Sequence, residues 1–177
     1  MGVVTTPQEL VAEVAELRRR LAVAESVLAI QAMKARYGEL VDRRFVAGAL
    51  ADGATLAVVT EAAAALFSAD GTWDGGPGLG VVRGRAAIAA RLRDSTLAFT
   101  RHFFVNPRIT VEEDGVRATG RWDVLSPCRR RDGRSYWMSG YEDDEYLQVD
   151  GAWLHRSMRL TTVFMVPVAG GWDPVLA

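Results

Sequence analysis

A change of hydrophobic period near residue 100 constrains this chain more than any other feature. Before it, apolar residues recur at threes and fours; after it they alternate. Leu17, Leu21, Ala24, Leu28, Met33, Tyr37, Leu40 and Val41 keep the helical period, so one long helix or two collinear ones run to about Arg44. Thr6 is a ready N-cap, Pro7 suits the first helical position, and Glu9 is spaced to close a capping box. A second, alanine-rich helix is predicted over 54–67, ended by Asp70-Gly71, and a short amphipathic one over 85–93. Thr72-Trp73 opens a short strand, and the glycines between Gly75 and Gly80 make a turn, since a phosphate cradle would need a lysine and a following helix. From Thr100 onward, residues 101–112, 116–125, 135–149 and 152–168 read as strands, with Asp114-Gly115 and Asp150-Gly151 as hairpin turns between successive runs. Helices followed by an antiparallel meander predict one α+β domain over 1–177, with 1–25 a helical extension. A long curved sheet over three helices would leave a cone-shaped cavity at its open end.

Twenty-one basic residues face 22 acidic ones, for a net charge of −1. Nucleic-acid binding needs a basic surplus on one face, and Arg129-Arg130-Arg131 is too short a run to supply it. Cys128 is the only cysteine, which excludes an intrachain disulfide or a cysteine zinc site and makes the cytoplasm the simplest compartment. No stretch approaches the roughly 20 apolar residues of a membrane span and no signal segment opens the chain, so a soluble protein with no membrane partner is expected. The acidic run Glu142-Asp143-Asp144-Glu145 has no metal-ligand spacing and reads as a solvated strand edge.

The chain has two histidines. His102 shares a strand face with Phe104 and Asn106, and aromatic neighbours favour the neutral imidazole that a general base needs. Asp42, late in the first helix, is open to solvation, to pairing with Arg43 or Arg44, or to contact with His102. In the last case it would fix the imidazole tautomer and stabilise the imidazolium. Tyr37 lies five residues earlier, roughly 140° around the helix, so the two side chains would flank a cavity, with Tyr37 a neutral donor. His155, between Trp153 and Ser157, reads as structural or surface.

These residues carry a resemblance. Met33-Lys34-Ala35-Arg36-Tyr37 with Asp42, then Leu66-Phe67-Ser68-Ala69-Asp70-Gly71-Thr72-Trp73, Arg83-Gly84-Arg85, His102-Phe103-Phe104-Val105-Asn106-Pro107-Arg108-Ile109 and Asp150-Gly151-Ala152-Trp153 look like a SnoaL-like protein of the nuclear transport factor two-like superfamily. The resemblance covers roughly residues 25–168 and implies a cone-shaped α+β barrel. The tyrosine, aspartate and histidine pattern is similar to that of the scytalone dehydratase, bile acid dehydratase and hexachlorocyclohexane dehydrochlorinase branch. It implies a cofactor-independent, metal-free lyase with His102 as base, Asp42 as its partner and Tyr37 positioning or protonating an oxygen. Trp73 stands where the dehydratases carry tyrosine and the dehydrochlorinase tryptophan, and so looks like a pocket wall. Arg121 or Asp123 could match a residue that is acidic in some relatives. Trp73, Phe104, Asn106, Trp137, Tyr141, Met158 and Phe164 are the expected substrate-binding residues, and an apolar lining suits a small hydrophobic or polycyclic molecule. Isomerase or cyclase chemistry with the same base is the alternative, followed by a noncatalytic ligand-binding or assembly subunit. Relatives suggest a homo-oligomer, a trimer before a dimer. The segment 45–60 is longer than usual and could reshape the cavity mouth, while the role of 170–177 is open.

Overall fold

The computed structural model describes residues 6–171. Helix α1 (Pro7–Asp42) is continuous. Its capping box forms: the Glu9 amide donates to the Thr6 hydroxyl at 3.2 Å and the Thr6 amide to the Glu9 carboxylate at 2.7 Å. Only from Ile30 onward does α1 bury side chains fully. The segment 45–60 holds a two-stranded ribbon, β1 (Phe45–Val46) with β2 (Ala49–Leu50), and the start of α2 (Gly53–Ala65). Asp52 caps α2 by accepting from the Ala54 and Thr55 amides. Strand β3 (Phe67–Asp74) follows directly, beginning five residues before the expected Thr72. Then come β4 (Val81–Arg83), α3 (Arg85–Arg93), β5 (Leu97–Thr100), β6 (Phe103–Val111), β7 (Arg117–Arg130), β8 (Ser135–Val149) and β9 (Ala152–Pro167).

Strands β6 to β9 form the expected meander, and the Asp150-Gly151 turn has positive φ at both residues, as a two-residue hairpin requires. The sheet as a whole runs β4-β3-β9-β8-β7-β5, with β6 also on β7, and it is mixed because β3 lies parallel to β9. The cone-shaped barrel does not form. The sheet is open and is not curled: β4 ends it on one side, β5 and β6 on the other, and those edges share no pairing. Closure would require hydrogen bonds between them, yet β4 and β5 are three and four residues long, short edges of the kind that limit further pairing.

Val116, Ala118, Gly120, Trp122 and Val124 alternate with polar residues in the sequence, which predicts one buried face. The last four are buried on the inward face of β7, continued by Ser126 and Cys128, whereas Val116 precedes the strand and is exposed. The end of α1 packs with α2, α3, β3 and β9 through Tyr37, Leu40, Val41, Ala63, Phe67, Trp73, Ile88, Leu92 and Met158. A second cluster joins Ile30 and Met33 of α1 to Ala118, Tyr146 and Trp153. Together these clusters fix the last turns of α1 against the sheet, which sets where Asp42 points. Of the tail 170–177, residues 172–177 lie outside the described residues.

Candidate active site

Asp42 closes α1 and His102 immediately precedes β6, so the helix–sheet packing brings the two together across 60 residues of sequence. His102 Nδ1 lies 2.7 Å from Asp42 Oδ1, and the His102 backbone amide donates to both carboxylate oxygens at 3.1 and 3.2 Å. Arg101 Nε adds an ion pair at 3.4 Å from Oδ2. The carboxylate is 7% exposed and the imidazole 19%. An ionised carboxylate only accepts, so the short contact assigns the proton to Nδ1 and leaves Nε2 as the basic nitrogen. Arg44, one of the partners open to Asp42 on sequence grounds, instead donates to the Val41 and Leu92 carbonyls.

The pair opens on a cavity of about 500 Å³ lined by Gln31, Lys34, Ala35, Gly38, Arg101, His102, Phe103, Phe104, Val105 and Trp122, among others. That volume falls within the range of small-molecule sites. The Phe104 ring lies nearly parallel to His102, 14° between planes at 5.8 Å. Gly38 allows this arrangement, since a Cβ there would sit 3.2 Å from the Phe104 ring.

Tyr37 packs against Phe104, ring centroids 6.3 Å apart, without lining the cavity itself. Its hydroxyl accepts from Trp73 Nε1 at 3.1 Å. Burial, reinforced by the nearby Glu142 carboxyl, raises its pKa well above the ordinary phenol value and keeps it neutral.

Behind the cavity lies a buried ionic cluster. Lys34, the only lysine in the sequence, is fully buried, with its ammonium donating to Glu142 Oε2 and, at 2.7 Å, to Asp144 Oδ2. The Tyr146 hydroxyl donates to the same Asp144 oxygen and accepts from Trp122 Nε1. Burial works against the Lys34 charge, but Asp144 and Glu142 outweigh it and raise its pKa. Burial also raises that of Glu142, against the pull of Lys34 and with the repulsion of Asp144. The ammonium sits 4.5 Å over the Phe104 ring, so the cluster braces a cavity wall. The acidic run is therefore not a solvated edge. It lies on a central strand, with Glu142 and Asp144 opposite Trp122 and Gly120 on the inward face.

Residues 22–159 match the SnoaL-like domain. The chain belongs to the SnoaL-like family. Among solved structures it is similar to a type 2 hexachlorocyclohexane dehydrochlorinase, LinA, with a TM-score of 0.72 and 21% identity over 89% of this chain and 97% of that one. LinA-type3 of Novosphingobium barchaimii gives 0.71 and 20%, over 88% and 97%. A scytalone dehydratase homologue of Novosphingobium aromaticivorans gives 0.66 and 24%, over 82% and 89%. At such identity the likeness is one of fold. No curated protein matches the sequence.

Within this SnoaL-like domain the expected site residues separate. His102, Asp42 and Phe104 meet at the cavity, with Tyr37 behind Phe104 and Trp73 on Tyr37. Met158 is in the core beside Trp73. Asn106 donates to Asp123, which also accepts from Arg108, and Arg121 forms a bidentate pair with Asp143 and lies over Tyr141. Trp137 and Phe164 are more than 40% exposed. Of the seven expected substrate-binding residues only Phe104 lines the cavity at His102; Trp73, Asn106, Trp137, Tyr141, Met158 and Phe164 do not. Sequence reasoning passed over Lys34, Arg101 and Trp122. A signal for Lys34 existed, because it falls in the core-facing series Ile30, Lys34, Tyr37, Val41.

No group of three or more His, Cys, Asp or Glu among the described residues is arranged to hold a metal, and no helix among them is long and apolar enough to cross a membrane. His155 is fully buried, stacked on Phe67 at 4.9 Å, and neither ring nitrogen has a protein hydrogen-bond partner. Burial drives its pKa down to about 3. In the unfolded chain it titrates near 6.5, so below that pH the unfolded state takes up a proton that the folded state refuses. Its contribution to stability is complete above pH 6.5 and is lost toward pH 3, at about 1.4 kcal/mol per pH unit. Urea midpoints measured from pH 7 to 4 should therefore fall more steeply for the wild type than for His155→Phe.

Proposed function

We propose that the protein is a cofactor-independent lyase that abstracts a carbon-bound proton from a small hydrophobic or polycyclic substrate and expels a hydroxyl group or halide. The 2.7 Å contact between His102 and Asp42 at the cavity wall carries this reading. A free Nε2 takes the proton while Asp42 offsets the imidazolium charge, the division of labour expected of a base and its orienting carboxylate. The cavity lining supports an apolar substrate: Phe103, Phe104, Val105, Pro107 and Trp122 surround the imidazole. The fold likeness to dehydrochlorinases agrees with elimination.

Tyr37 enters the same proposal as the neutral hydroxyl that holds or protonates a substrate oxygen. Its oxygen already accepts from Trp73, so its own proton is free to be donated. Reaching a substrate requires the Phe104 ring, which packs between Tyr37 and the cavity, to turn aside.

The test is product mass. Purified protein incubated with a panel of cyclic β-hydroxy ketones and halogenated cyclohexanes should release products lighter by one water or one hydrogen halide. Products of unchanged mass would replace elimination with isomerisation or cyclisation. Equal turnover by a His102→Ala variant would remove the base from the reaction altogether.

A further inference from the structure

The first six turns of α1 present an apolar stripe that nothing among the described residues covers. Leu10, Val14, Leu17, Leu21, Ala24 and Leu28 are spaced alternately by four and three residues, and all six are exposed, Leu28 by 65%. That spacing is a heptad seam, with Val14, Leu21 and Leu28 at a and Leu10, Leu17 and Ala24 at d. At 100° per residue the stripe points about 140° away from the side of α1 that carries Val23, Val27, Ile30, Lys34 and Tyr37 toward the body of the protein. The exposure of all six residues leaves the stripe open to a partner helix. The next two seam positions, Gln31 and Ala35, line the cavity at His102, so the seam stops at Leu28. Most of it precedes the SnoaL-like match, which starts at residue 22.

We infer that α1 pairs with α1 of a second copy of this chain as a parallel, in-register two-helix coiled coil over Leu10 to Leu28. The charges beside the seam choose both partner and direction. In a parallel pair each g residue meets the e residue five positions later on the other helix. Glu13 then faces Arg18, and Arg20 faces Glu25, giving four attractive contacts per dimer. All four of these residues are exposed. The Glu16–Arg19 pair is closed within the helix at 2.8 Å and lies off the seam. An antiparallel pair with the same overlap would set Arg18 against Arg18 and Arg20 against Arg20. Val14 at a with Leu17 at d is the one heptad of the seam with the pattern that favours two strands. A coil this short is marginal in isolation, but here the C-terminal half of each helix is already held by its domain, which removes the nucleation cost.

The experiment is cysteine cross-linking of the full chain in a Cys128→Ser background. Leu17→Cys should oxidise to a linked pair at micromolar concentration, far faster than Arg19→Cys on the opposite side of the helix. Glu13→Arg turns two attractive contacts into repulsive ones and should slow the linkage about ten-fold. The exchange E13R/R18E should restore it. Sedimentation of the wild type should give an even number of chains, halved by L17E/L21E. Linkage no faster than that of Arg19→Cys, preferential linkage of Leu17→Cys to Leu21→Cys chains, failure of the charge exchange to rescue, or an odd number of chains would each overturn the proposal.

Discussion

Replacing Lys34 with methionine should cost the fold about 3–5 kcal/mol at pH 7, the range for removing one partner of a buried ion pair. The side chain is fully buried and contacts two carboxylates that are themselves almost fully buried. Methionine fills similar volume, so the loss would come from charge: Glu142 and Asp144 would be left together in the interior without a counter-ion. The direction with pH follows. Carboxylates stranded in this way have raised pKa values, so they bind protons in the folded state more readily than in the unfolded chain, and acid relieves the variant. The gap in urea midpoint between wild type and Lys34→Met should narrow as pH falls from 7 to 5. Adding Glu142→Gln should recover part of the loss. A variant within 1 kcal/mol of wild type at pH 7 would mean that the cluster is not held as described.

This cluster also shows where sequence reading stopped. The change of period, the Thr6 cap and the glycine turns each act through neighbouring residues, and all three were legible. Lys34, Glu142 and Asp144 depend on a register that spans 108 and 110 residues. Once Trp122 is placed opposite Glu142, and Ala118 opposite Tyr146, the acidic residues must point inward. The alignment has a local signal in Asp132-Gly133 of the four-residue turn between β7 and β8, but with that strand expected to end at residue 125 the step does not read as a hairpin turn. The open sheet was missed for a related reason. Four strands of the meander say nothing about whether distant edge strands meet, and the parallel β3–β9 pairing joins elements more than 80 residues apart. Asp42 and His102, by contrast, could be named individually from residue type and family resemblance. The resemblance also pairs them, and the packing of α1 against β6 supplies the contact.

The largest expected effect on activity lies at that contact. Once a substrate is in hand, His102→Ala should lower kcat by about 10²–10⁴-fold, the usual contribution of a positioned general base. Asp42→Asn should fall in the same range for a different reason. An amide can turn either its oxygen or its nitrogen toward Nδ1, so the tautomer with a bare Nε2 is no longer enforced, and the imidazolium loses its compensating charge. The two variants should differ in the fold. His102 is partly exposed and its alanine variant keeps the backbone amide that donates to Asp42, so its melting should stay close to that of the wild type. Asp42→Asn weakens the ring contact, the Arg101 pair and two backbone hydrogen bonds at once, and should melt measurably lower. Because the two residues act as one unit, H102A/D42N should be little slower than His102→Ala alone. Multiplying losses in the double variant would show that Asp42 acts on the substrate independently, and a near-normal rate for Asp42→Asn would show that the carboxylate orients nothing the reaction uses.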